Sequence, residues 1–245
     1  MNFGGKTSMI YGAILAGGSG TRMHISSMPK QFLPLGDKPI IIHTLEKMLM
    51  CARLNAIYIG VHPSWISHMT DLLEMYEIDR DKVKLAPGGE NRNDTIFNII
   101  EEIAKDFGSD EDDIIVTHDA VRPFVTLRIL NENIDAAIQY GACDTVVPAS
   151  DTIVKSHDGV DISEIPNRNY MYQGQTPQSF SIKLLKELYS QLKPSEKAVL
   201  TDACKICVMR GVPVKLITGE LSNMKITTVN DYKIAQVLVG GIAGD

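Results

Sequence analysis

Hydrophobic and polar positions along the chain fall into two rhythms. Short apolar runs that suit buried strands lie at residues 10–15, 56–61, 83–86, 114–117 and 145–149. Between them, residues 40–50, 65–75, 96–107 and 127–140 carry apolar side chains at helical spacing. Pro39 suits the start of the first helix, and Asp94 or Thr95 is placed to cap the third. Strands alternating with helices predict an α/β fold with a doubly wound, mostly parallel sheet. In such sheets ligands sit beyond the carboxyl ends of strands.

The alternation breaks at 151–178. Residues 151–162 alternate around Asp158-Gly159, a hairpin signal. Residues 165–178 are polar, aromatic and poor in helix formers, so the stretch predicts an arm projecting from the sheet. Helices are expected again at 182–191 and 201–209, a strand at 214–218, a short β run at 223–228 and a last helix at 232–239. With no repeats or linkers, the expected organisation is one domain over 9–240 with the arm, about 151–178, inside it.

The first strand carries the strongest chemical signal. It stops at Gly17, Gly18 and Gly20, and Arg22 and Lys30 follow on the same loop with no carboxylate between them. Glycines let the backbone turn sharply and bring its N–H groups close to a ligand. Fixed N–H dipoles with cations beside a strand end suit a polyphosphate. Solvated cations on a plain glycine turn are the alternative. The P-loop pattern fails because no Gly-Lys-Ser/Thr follows, and the dinucleotide fingerprint fails because position 23 holds Met23.

Composition narrows the class. The chain has 245 residues, 44% of them hydrophobic and 22% charged, which is ordinary for a globular protein. A net charge of −6 argues against a general nucleic-acid binder. No apolar run approaches the ~18 residues of a membrane span, and residues 1–8 lack a signal-peptide core. A reducing cytoplasm is therefore expected. Cys204 and Cys207 are spaced like half a zinc site, but without a second pair they read as buried thiols one helical turn apart.

Other candidates are ambiguous when taken singly. His118-Asp119 follows an apolar strand, where a carboxylate either serves Mg²⁺ or caps the next turn. Arg122 either binds an anion or pairs with Asp119. The turn from Gly88 to Thr95 is either a plain helix entry or a reader of a pyrimidine edge. Thr152 and Arg168, on the arm, and Lys225, on the β run, would by default be solvated. No Ser/His/Asp or Cys/His arrangement stands out.

Together these motifs carry a resemblance. Leu15-Ala-Gly-Gly-Ser-Gly-Thr-Arg-Met23 with Pro29-Lys-Gln31 resembles the nucleotide loop of cytidylyltransferases that activate alditol phosphates. Gly88-Gly-Glu-Asn-Arg92, Thr117-His-Asp-Ala-Val-Arg-Pro-Phe124, Tyr172-Gln-Gly-Gln-Thr-Pro-Gln178, Leu200-Thr-Asp-Ala-Cys-Lys205 and Ser222-Asn-Met-Lys-Ile-Thr-Thr228 extend it, in order, over nearly the whole chain.

The resemblance implies a Rossmann-like sheet of the nucleotide-diphospho-sugar transferase type. It implies that Leu15, Ala16, Gly17, Gly18, Gly88, Gly89, Arg92, Thr95 and Ala120 hold the nucleotide, and that Arg22, Lys30 and Lys225 act on its phosphates. Asp119 would be the Mg²⁺ carboxylate. Thr152, Arg168 and Arg122 would hold the alditol phosphate, with Thr152 and Arg168 reaching a second subunit's site through the arm of a homodimer.

The implied reaction is Mg²⁺-dependent attack of the acceptor's phosphate on CTP. The quoted motifs are more similar to the branch acting on ribitol 5-phosphate, whose product CDP-ribitol feeds teichoic acid synthesis at the cell wall. They are less similar to the branch acting on 2-C-methyl-D-erythritol 4-phosphate in isoprenoid precursor synthesis. A hexose-1-phosphate nucleotidyltransferase and a non-catalytic nucleotide-binding protein are the remaining alternatives.

Overall fold

The computed structural model describes residues 8–18, 28–108 and 112–242. The first half contains β1 (Ile10–Ala16), β2 (Pro34–Leu35), β3 (Lys38–Pro39), α1 (Ile40–Leu49), β4 (Ala56–Val61), α2 (Ile66–Met75), β5 (Val83–Pro87) and α3 (Arg92–Phe107). Next come β6 (Ile114–Asp119), α4 (Leu127–Tyr140), β7 (Ala142–Pro148), β8 (Tyr172–Ser181) and α5 (Ile182–Ser190). The chain ends with α6 (Pro194–Lys197), α7 (Cys204–Met209), β9 (Lys215–Thr218) and α8 (Val229–Ile242).

Seven strands form one sheet in the order β5-β4-β1-β6-β8-β7-β9. All neighbours pair in parallel except β8, which is antiparallel to β6 and β7. The expected doubly wound α/β architecture is therefore present. Strand pleating explains why both faces are covered. Ile10, Ile14, Ile57, Ile59, Ile114 and Val116 point to one face, where α1, α2 and α4 pack. Tyr11, Ala13, Tyr58 and Ile115 point to the other, under α3, α5 and α7. Among the described residues no helix is long and apolar enough to cross a membrane.

Several local expectations are corrected. Helix α3 starts at Arg92, and its cap is Asn91, whose side chain accepts from the N–H groups of Asn93 and Asp94. Strand β7 begins at Ala142, upstream of the apolar run read from the sequence.

No two-stranded hairpin forms around Asp158-Gly159. The Asp158 carboxylate accepts from the N–H groups of Val160 and Asp161, and a lone bridge joins Lys155 to Glu164. Residues 172–178 belong to β8, inside the sheet, so the excursion spans 149–171. Residues 223–228 are not a strand. They lead into α8, whose first turn is fixed by Asp231 accepting from the N–H groups of Thr227 and Thr228. Cys204 and Cys207 are buried free thiols, as their spacing predicts.

Candidate active site

At the carboxyl edge of the sheet the ends of β1 and β6 and the entry to α3 enclose a pocket of about 390 Å³. Its lining includes Leu15, Ala16, Gly17, Gly18, Lys30, Gly89, Arg92, Thr95, Asp119, Ala120 and Lys225. Sequence positions from one end of the chain to the other thus converge on one cleft. Gly88 stands just behind it: a Cβ there would lie 2.9 Å from the Gly17 Cα. Only hydrogen fits at Gly88, and at Gly17 a Cβ would meet Thr95 Oγ1 at 2.8 Å. Thr95 Oγ1 accepts from the Gly89 N–H at 3.0 Å and donates to the Asn91 carbonyl at 3.0 Å, which sets the second wall.

Asp119 is the electrostatic centre. Its Oδ1 pairs with Arg92 Nη1, and its Oδ2 lies 3.0 Å from Lys225 Nζ and 3.3 Å from Arg122 Nε. Burial pushes its carboxyl up, but the charges of Arg92, Lys225 and Arg122 outweigh that and hold it well below the usual range. The ionised side chains lining the pocket are Lys30, Arg92 and Lys225 against Asp119 and Glu90, a net positive balance that suits a polyphosphate.

Arg122 is buried and does not line the pocket. Besides Asp119 it holds the Asn223 carbonyl, at 2.7 Å, so of its two readings this structure shows the ion pair. Thr152 and Arg168 are exposed on the arm, where Arg168 donates to the Ser150 carbonyl at 3.0 Å; neither lines the pocket of this chain. Arg22 and Gly20 lie outside the described residues.

Supporting groups that sequence reasoning gave no role now acquire one. Gln31, 4% exposed, donates from Nε2 to the carbonyls of Ala16 and Gly18 at 3.0 and 3.2 Å, clamping the glycine loop. His118 bonds the Arg122 carbonyl through Nε2 (3.0 Å) and Thr176 Oγ1 through Nδ1 (2.9 Å). Nε2 must therefore carry the hydrogen and Nδ1 accept from Thr176, whose Oγ1 accepts the Asp119 N–H at 3.1 Å. Burial lowers the His118 pKa to about 4, so the ring is neutral near pH 7. Asn223, fully buried, donates to the Thr176 carbonyl at 2.8 Å, and the Ile226 N–H donates to Val121 at 3.0 Å. These two anchors carry Lys225 to Asp119. The sequence signal was present in each case, a polar residue inside a quoted motif, but its partners lie far along the chain.

An open, mostly parallel sheet with a glycine loop and a cation-rich floor at its carboxyl edge suits a nucleotidyltransferase. Residues 10–241 match the family described as IspD: 2-C-methyl-D-erythritol 4-phosphate cytidylyltransferase, and the chain belongs to that family. It is thus an enzyme of the CTP-dependent cytidylyltransferase class.

Solved structures agree on the fold. The 4-diphosphocytidyl-2C-methyl-D-erythritol synthase of Anaerococcus prevotii superposes with a TM-score of 0.77 at 25% identity, covering 95% of this chain and 96% of that one. A second 4-diphosphocytidyl-2C-methyl-D-erythritol synthase gives 0.78 at 24% identity, covering 96% and 100%. The 2-C-methyl-D-erythritol 4-phosphate cytidylyltransferase of Francisella tularensis gives 0.76 at 23% identity, covering 93% and 98%.

Proposed function

We propose that this enzyme transfers the cytidylyl group of CTP to an alditol phosphate and releases pyrophosphate. The observation that carries the reading is the floor around Asp119, where Arg92 and Lys225 converge beneath a loop clamped by Gln31. The acceptor phosphate is largely dianionic near neutral pH, its second pKa being about 6. It is already a nucleophile and needs no general base. Its oxygen attacks the α-phosphorus in line, the bond from that phosphorus to the bridging oxygen breaks, and pyrophosphate departs. Lys30, Lys225, Arg92 and, on the loop outside the described residues, Arg22 neutralise the developing charge. Gly89 and Thr95 face the base, and Ala120 the ribose.

The donor set fits Mg²⁺. The ion commonly takes one or two carboxylates and completes its shell with phosphate oxygens and water. Asp119 supplies such a carboxylate at the pocket floor; its oxygens hold Arg92, Lys225 and Arg122, so taking the ion would mean exchanging the contact of the partly exposed Lys225 for it. Asp119 would hold the ion, which adds positive charge beside the triphosphate when bound.

Two acceptors compete. The family description and the names of the structural neighbours favour 2-C-methyl-D-erythritol 4-phosphate. The motifs His118-Asp-Ala-Val-Arg-Pro-Phe124, Tyr172-Gln-Gly-Gln175 and Leu200-Thr-Asp-Ala-Cys-Lys205 favour ribitol 5-phosphate and a place in teichoic acid synthesis. Thr152 and Arg168 lie away from their own pocket and Arg122 lies behind Asp119, so in this reading a homodimer formed through the arm completes the acceptor site.

Pyrophosphate release with CTP and Mg²⁺, run in parallel on both acceptors, tests the reading. Preference for one acceptor assigns it. No release with either overturns the proposed reaction. In either pathway the enzyme would work in the cytoplasm, where CTP is available.

A further inference from the structure

We propose that Gln178 is a positioning residue whose side-chain amide ties Arg92, on the pocket wall, to the Asp144–Asp202 pair behind it. This rests on the cytidylyl-transfer reading, and it gives a role to one residue in each of two sequence motifs. One ends at Gln178 and the other contains Asp202; the structure joins them.

Gln178 is 1% exposed and sits on β8 opposite Thr117 of β6 and Asp144 of β7. Its Nε2 donates to Asp144 Oδ1 at 3.1 Å and to Asp202 Oδ2 at 2.7 Å. Its Oε1 accepts from Arg92 Nη2 at 3.3 Å. The amide cannot be reversed, since that would aim its carbonyl at two carboxylates and its NH₂ at a guanidinium.

Arg92 needs such a hold. Its Nη1 reaches Asp119, while its Nε is buried without a hydrogen-bond partner. Without Gln178 the guanidinium keeps one anchor and can rotate about it. Positioning of charged groups to well under an ångström is what phosphoryl-type transfer asks of a site.

The carboxylates are arranged for the same end. Burial lifts the Asp144 carboxyl to about 7, while the Gln178 hydrogen bond, Arg92 and Arg122 oppose that lift and Asp202 adds to it. Asp202 also accepts the Cys204 N–H at 2.8 Å at the start of α7, and the adjacent Thr201 lines the pocket. One amide therefore fixes both a cation on the pocket wall and the segment that borders it.

The test is a double-mutant cycle on the full-length enzyme: wild type, Gln178→Met, Arg92→Ala and the double variant. Each is read by CTP affinity in calorimetry, by pyrophosphate release and by thermal melting. Methionine keeps the volume and removes the donor and acceptor. Gln178→Met is expected to lower kcat/KM roughly tenfold. In the Arg92→Ala background the same change should matter less than about twofold.

An equal loss in both backgrounds overturns the proposal, as does a lowered melting temperature with unchanged turnover. Should Gln178→Met not fold, Asp202→Ala takes its place in the cycle, since it removes the acceptor that Gln178 Nε2 reaches at 2.7 Å, with the same non-additivity expected. If wild type binds CTP but releases no pyrophosphate with either acceptor, the proposed reaction fails alone, and the cycle is scored on CTP Kd. If wild type does not bind CTP, both fail.

Discussion

Lys225 Nζ lies 3.0 Å from Oδ2 of Asp119, across a junction held by the buried residues Asn223 and Ile226. The lysine side chain is 40% exposed, so it contributes charge to the floor rather than packing to the core. Lys225→Ala should lower kcat/KM by about 10²–10³, the usual cost of removing one donor that faces transition-state charge. The melting temperature should stay within a few degrees of wild type. Turnover within tenfold of wild type would contradict the role given to this lysine.

The clamp made by Gln31 acts on shape rather than charge. Gln31→Leu removes both bonds to the glycine loop and leaves the carbonyls of Ala16 and Gly18 to other partners. A lost hydrogen bond is worth about 1 kcal/mol net, so KM for CTP should rise roughly five- to thirtyfold, with a smaller change in kcat. Steady-state kinetics at saturating acceptor decide it; an unchanged KM would mean the loop holds its form without the clamp.

Gly88 is a packing constraint. An alanine Cβ there would meet the Gly17 Cα at 2.9 Å and the Val61 carbonyl carbon at 3.0 Å, both backbone atoms that cannot swing away. Gly88→Ala should therefore destabilise the protein by about 1–3 kcal/mol and push the two loops apart. Urea unfolding reads the first effect and CTP binding the second. A neutral result in both would show that the loops can part without cost.

The Asp144 carboxyl titrates at about 7 because of burial, well above the ordinary value of 3.8. Between these values the native state holds a proton that the unfolded chain has lost, so this group's contribution to stability falls as pH rises from about 4 to about 7. His118, depressed by burial to about 4, acts with the opposite sign up to about 6.5, and both terms are present in wild type. The difference between Asp144→Asn and wild type isolates the first. The variant should gain stability relative to wild type as pH rises from 5 to 8, measured by urea midpoints. A pH-independent difference would mean that Asp144 is not the titrating group.

Much of the frame was legible because apolar period and strand length speak directly: β1, β4, β6 and α4 lie where the pattern put them. So did the glycine loop and Asp119, which are chemical signals confined to a few consecutive residues. Strand β8 was misread because Gln175, Thr176 and Gln178 look like surface residues. They are buried only because Asn223, His118, Arg92, Asp144 and Asp202 satisfy them. The cap of α3 was misplaced because Asp94, Thr95 and Asn91 all have capping chemistry, and the extended backbone at Asn91 decided among them. Lys225 depends on contacts between chain segments that no local pattern encodes.

The reversed direction of β8 has a consequence for how such an enzyme can diversify. Strand β7 ends at the carboxyl edge of the sheet, and an antiparallel β8 must begin at that same edge. The chain between them, 149–171, is therefore a detachable rim: it can lengthen, shorten or change composition while the glycine loop and Asp119 stay on other strands. Selection can rewrite this rim without disturbing the register of the strands that carry the glycine loop and Asp119.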